Sequence, residues 1–164
     1  MNNNYSSELN EETADDFMFV TISLDGDRYG INVQNIQEII GVPETAHVPN
    51  TMPYMKGVTS LRGKVIPLVD LRIKFNLAEK EYDKLTVVLI AEIQENLIGF
   101  IVDSVSDVIS VPLVEIQNTP HFSTNIDPDC IYGACKLEEE ILIIIDIEKI
   151  FRDDELLSIS QQET

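Results

Sequence analysis

Apolar and polar residues alternate along most of this chain in short runs separated by turn-forming residues. Residues 19–24 (FVTISL) place Val20, Ile22 and Leu24 on one face, which is the period of a strand. Asp25-Gly26-Asp27 supplies a hairpin turn, residues 28–32 return, and residues 37–41 form a third strand. After a connection carrying Pro43, Pro49 and Pro53, residues 55–71 (MKGVTSLRGKVIPLVDL) predict another hairpin. Its arms are 58–61 and 65–69, and Arg62-Gly63 sits at the bend, where Gly63 is free to take a positive φ. Pro67 has no amide donor, so its arm is expected at a sheet edge. Asp70 is placed to cap a short helix over 71–75. Beyond a polar linker (76–83), residues 86–91 are apolar on both faces and predict a buried strand, which pairs with 97–102 around Gln94-Glu95-Asn96. A strand at 108–111, a proline-bearing connection (112–129), a hairpin of 131–137 with 141–145, and a cap at Asp146 complete the chain. Short strands at even spacing predict an all-β protein of small barrels with short helices.

The pattern repeats. Residues 131–147 align beneath 55–71, with Gly133 under Gly57, Leu137 under Leu61 and Asp146 under Asp70, each 76 positions on. Upstream, Tyr29-Gly30-Ile31 and Ile36, Ile39, Ile40 match Ile98-Gly99-Phe100 and Val105, Val108, Ile109, each 69 positions on. Matched Gly and Asp positions in a fixed order indicate an internal duplication. The expected organisation is an acidic tail (1–16), a first barrel (17–80), a second barrel (81–151) and a polar acidic tail (152–164). Gly57, Gly63 and Gly99 are expected as structural glycines of turns. At the hairpin tips the repeats diverge: Arg62-Gly63-Lys64 in the first becomes Glu138-Glu139-Glu140 in the second. Arg62 is therefore either a solvated turn residue or a residue kept for a partner. Glu38 is likewise either a solvent-facing strand residue or a contact.

Composition narrows the function. With 164 residues and 44% hydrophobic content the chain can build a core, but each half is marginal alone and the halves must share an interface. A net charge of −18 argues against nucleic acid and against an anionic membrane surface. Residues 55–74 are the basic exception, holding Lys56, Arg62, Lys64, Arg72 and Lys74 against the single acid Asp70. The N-terminus lacks the basic and apolar regions of a signal peptide, and apolar runs such as 141–145 are too short to span a bilayer. Cys130 and Cys135 read as small core or loop residues without a disulfide.

No catalytic or metal-binding pattern emerges. Gly57…Gly63-Lys64 has the wrong spacing for a phosphate loop, and Val65 stands where a Ser or Thr would hold Mg²⁺. His47 and His121 lie in loops without carboxylate or Cys partners at ligand spacing. Asp70 and Asp146 are better explained as caps. Asp103 and Asp107 leave one enzymatic alternative, a small hydrolase using the two carboxylates. Binding fits better: a strand held open by Pro67, a basic hairpin on an acidic body, and Phe122 in a polar loop, where it either plugs the core or anchors a partner.

These residues resemble a known family. Tyr29-Gly30-Ile31, residues 36–40 (IQEII), Gly57, residues 61–67 (LRGKVIP), Asp70-Leu71-Arg72, Gly99, Val102-Asp103, Val105 and residues 146–149 (DIEK) look like the CheW-like domain of bacterial chemotaxis coupling proteins, over about residues 17–151. The resemblance implies two intertwined five-stranded SH3-like β-barrels, no enzymatic activity and no cofactor or metal. It implies a cytoplasmic adaptor, monomeric when free, that joins the tips of methyl-accepting receptors to the regulatory domain of the histidine kinase CheA. Receptor tips would dock at Ile36, Glu38, Ile39, Lys56 and Arg62, and the kinase at Val42 and Phe122. One departure is Gln117, where better-known members carry a basic residue. The same domain occurs in CheV adaptors and in the kinase itself, which stand as alternatives.

Overall fold

The structure, a computed structural model, describes residues 16–118 and 126–161. Ten strands follow in order: β1 (Asp16–Leu24), β2 (Asp27–Asn32), β3 (Ile36–Gly41), β4 (Met55–Leu61), β5 (Lys64–Asp70), β6 (Val87–Ile93), β7 (Asn96–Val102), β8 (Ser104–Pro112), β9 (Ile131–Leu137) and β10 (Glu140–Ile145). They form two five-stranded sheets, one ordered β8-β1-β2-β10-β9 and the other β3-β6-β7-β5-β4. Substituting each strand by its repeat partner turns one order into the other. The duplication is thus a property of the fold as well as of the sequence.

The sheets do not follow the division at residues 80/81. Each repeat gives its first two strands to one sheet and its last three to the other, so both sheets draw on both halves. In each sheet one parallel ladder joins the repeats: Leu68 to Asp70 run beside Gly99 to Ile101, and Ile143 to Ile145 beside Tyr29 to Ile31. The hydrophobic core divides accordingly. Phe19, Val111, Cys135, Leu142 and Ile144 pack within the first sheet. Ile66, Leu68, Val88, Ile90 and Ile101 pack within the second. A larger cluster, including Val20, Ile22, Leu24, Leu89 and Phe100, fills the space between. Strands β1 and β6 therefore bury both faces, one in a sheet interior and one in the shared core.

The hairpin at 55–71 forms as expected, with Arg62 (φ 52°) and Gly63 (φ 80°) making a two-residue turn of left-handed residues. Gly57 and Gly99, however, lie inside strands and not in turns. Gly57 marks the irregularity of β4 where Ala46 crosses it: the Ala46 amide donates to the Val58 carbonyl at 2.8 Å, and a Cβ on Gly57 would meet the Ala46 oxygen at 2.3 Å. Gly99 is where Leu68 fills the sheet interior, 2.6 Å from a Cβ that glycine lacks. Pro67 also departs from expectation, because β5 lies between β4 and β7 and is no edge. The ladder to β7 begins only at Leu68, so Pro67 precedes it and interrupts nothing there.

Asp70 caps helix α1 (Leu71–Lys74), its carboxylate accepting from the amides of Arg72 and Ile73. Asp146 accepts from the Glu148 amide at the matching place. The polar tail expected from residue 152 is instead helix α2 (Asp153–Gln161), with Leu156 and Ile159 buried in the shared core. Leu156 and Ile159 are three apart, on one helical face, while Leu157 is exposed on another. Cys130 and Cys135 are free thiols in the core. Burial, with Asp127 nearby, pushes the Cys130 thiol up to about 11.

Candidate docking surface

Strand β3 is an edge of the second sheet, paired only to β6. Its pairing slips between Ile36 and Glu38. Ile36 packs against the shared core and Ile40 against the sheet interior, whereas Ile39 is left 42% exposed. Glu38 turns toward the β4–β5 tip, where both its oxygens accept from the Arg62 guanidinium. This two-pronged pair joins the edge strand to the hairpin across a gap that no backbone ladder bridges. Val65, just past the tip, and Val42, just past β3, are also exposed.

Four of the expected receptor-contact residues therefore share one region: Ile36, Glu38 and Ile39 on β3, and Arg62 at the tip. Lys56 does not join them. It sits near the start of β4, roughly 20 Å along an extended strand from Arg62, and pairs with Glu79 at 2.5 Å. Of the two kinase-contact candidates, Val42 is exposed beside this surface, and Phe122 lies outside the described residues. Gln117 uses its backbone to pair with Ala134 and is itself exposed.

The basic character of residues 55–74 is largely internal. Arg72 is buried, donating to Asp103 at 2.6 Å, to Asp25 at 3.1 Å and to the Ala78 carbonyl at 2.8 Å. Burial alone would lower its pKa, but the two carboxylates more than compensate and the net shift is upward. Lys74 faces Glu155 at 3.6 Å and lies over the rings of Tyr54 and Phe151. Positions 72 and 74 hold the fold together, and the surface charge of the hairpin comes down to its tip and Lys56.

Asp103 and Asp107 do not form a carboxylate pair. Asp103 accepts from Arg72 and from the Asp25 amide. Asp107 accepts from the Thr21 hydroxyl and from Arg28, which also reaches Glu140 at 3.1 Å. Asp107 is the repeat counterpart of Glu38, so both sheets tie an acid on the edge strand to an arginine. The 69-residue repeat carried that signal in the sequence. The arginine partners did not, since Arg62 comes from a tip and Arg28 from β2. Nor did the sequence reveal Tyr82, whose hydroxyl donates to Asp70 at 2.7 Å. Burial and that hydrogen bond push its phenol well above the ordinary range.

Two SH3-like sheets with exposed apolar residues along a strand edge have the form of a protein-binding scaffold. Comparison with known proteins makes the class specific. Residues 18–155 match the model of the CheW-like domain. The chemotaxis protein CheW of Klebsiella aerogenes is 36% identical over 138 residues, covering 84% of this chain and 83% of that protein. CheW of Bacillus subtilis is 33% identical over 131 residues, 80% of this chain and 84% of that protein. The scaffolding protein TtCheW of Thermoanaerobacter tengcongensis superposes with a TM-score of 0.78 at 29% identity, over 85% of this chain and 94% of that one. The chain belongs to the CheW-like family of chemotaxis adaptors and is not an enzyme.

Proposed function

We propose that this protein couples methyl-accepting chemotaxis receptors to the histidine kinase CheA in a cytoplasmic signalling array. The observation that carries the reading is the grouping of Ile39 with the Glu38–Arg62 pair on an open strand edge. An exposed apolar side chain beside a largely exposed arginine suits a docking surface, because apolar anchors and arginine are enriched where proteins bind. Receptor tips dock there through Ile36, Glu38, Ile39 and Arg62, with Lys56 at the periphery. The kinase regulatory domain engages Val42, which lies beside that surface, and Phe122. The free chain, at −18, repels its own copies and is monomeric.

Co-purification with a receptor tip and the kinase regulatory domain tests this. The expected result is a ternary complex. Ile39→Asp lowers receptor retention about tenfold, which corresponds to about 1.4 kcal/mol, and leaves kinase retention intact. Val42→Asp does the reverse. Failure to recover the three proteins together, or equal loss of both partners in both variants, would overturn the reading.

A further inference from the structure

Repeat partners join the two sheets in different ways. Arg72 follows β5 of the second sheet and grips Asp25, in the β1–β2 turn of the first, and Asp103, between β7 and β8. The guanidinium is only 8% exposed and the Asp103 carboxylate 13%. Backbone amides reinforce this tie: Asp25 donates to Asp103 Oδ2 at 2.9 Å and Asp103 to the Ser23 carbonyl at 3.2 Å. The repeat partner of Arg72 is Glu148, 76 positions on, and that of Asp25 is Gln94, 69 positions on. Gln94-Glu95 makes the same left-handed turn as Asp25-Gly26. Both Gln94 and Glu148 are exposed, however, and among the described residues neither side chain ties the sheets. They line a cleft of about 870 Å³, with Lys74, Phe151 and Arg152 also on its walls.

Helix α2 makes the tie on this side. The duplicated part of the chain ends at Phe151, the partner of Phe75, so α2 has no counterpart in the first repeat. It follows β10 of the first sheet, yet its polar hold is on the second. Glu155 accepts from the Tyr54 hydroxyl at 2.7 Å and faces Lys74 at 3.6 Å. Leu156 and Ile159 supply the apolar hold. A nine-residue helix is too short to persist undocked. So few contacts release at far lower cost than ten paired strands.

We propose that α2 is a clasp that opens and recloses as a unit while the strands stay folded. Closed, it fixes one sheet against the other at the cleft. Open, it leaves the Arg72 tie in place, so the sheets part at the cleft and stay joined at Asp25 and Asp103. Cys130 reports the opening. Its neighbours Asp127, Pro128, Asp129 and Ile131 line the cleft, and its thiol donates to the Lys149 carbonyl at 3.2 Å. Cys130 belongs to the shared core with Leu156 and Ile159. Cys135, equally buried at 4%, belongs to the interior of the first sheet, a cluster in which α2 takes no part.

The test labels the full chain with iodoacetamide in dilute urea, below the unfolding transition, reads each thiol by mass spectrometry, and follows amide hydrogen exchange alongside. In the wild type, Cys130 and the amides of α2, Lys149 and Ile150 are expected to react at least about tenfold faster than Cys135 and the amides of β6. Those faster rates should depend little on urea, because a local opening exposes little surface. The amides of Asp25 and Asp103 keep the protection of the strands. Tyr54→Phe keeps the ring and removes the hydroxyl, which raises the rates of Cys130 and α2 about tenfold. Ile159→Val trims one methyl from the helix and raises them severalfold. Equal labelling of the two thiols, α2 exchange only in step with β6, loss of protection at Asp25 and Asp103 together with α2, or a Cys130 rate unmoved by both variants would overturn the proposal.

Discussion

At Gly57 a methyl group would lie 2.3 Å from the Ala46 carbonyl oxygen, on a backbone with φ of +144°. Both the clash and the dihedral oppose any side chain, so Gly57→Ala is expected to cost about 2–4 kcal/mol. Gly99→Ala, facing a side chain that can give slightly, should cost about 1–3 kcal/mol. Gly63→Ala meets nothing within 4 Å and suffers only from its φ of +80°, at about 1 kcal/mol. Urea unfolding of the three variants would show that order, and a largest loss at Gly63 would contradict it. All three glycines stood out in the sequence. Turn and close approach leave the same mark there, however, and the atoms that decide between them, Ala46 and Leu68, arrive from distant segments.

Hairpins were the most legible elements, because alternation and turn chemistry are local. What joins them was not. The basic stretch 55–74 read as a charged surface, yet its arginine at 72 is an internal clamp. Charge counting ignores which side chains have acids waiting for them in the fold. The Glu38–Arg62 link can be tested as a unit. With Arg62 largely exposed, Glu38→Arg or Arg62→Glu alone should lower stability by less than about 1 kcal/mol, and the double exchange should restore it. Receptor retention should stay weak in the double exchange, since the charges a partner meets are reversed. Its recovery would mean that the pair only holds β3 to the tip.

For the whole molecule, the C-terminal helix α2 is the part the sequence concealed. A short run of acids with two leucines and an isoleucine reads as tail unless a groove is known to receive it. That groove is the shared core, and Tyr54 anchors the helix by donating to Glu155 at 2.7 Å. Burial alone would raise the Glu155 pKa. The Tyr54 hydroxyl, the Arg152 amide and Lys74 outweigh it, so the net shift is below the ordinary 4.5. A carboxyl held low in the folded state contributes stability above its unfolded pKa and loses it as pH falls through the folded value. Thermal melts from about pH 6 down to about pH 3 should therefore fall less steeply in Glu155→Gln than in the wild type. Parallel curves would show that the carboxylate adds nothing.

Strand exchange between the sheets also bears on synthesis. The first sheet needs Ile145 beside Ile31, so in a nascent chain β1 must wait for β8, and β2 for the last strand, before each is flanked on both sides. The second sheet is complete by β7, well before then. A ribosome thus releases one finished sheet attached to an unfinished one, and the interval between them is when this protein is most open to aggregation.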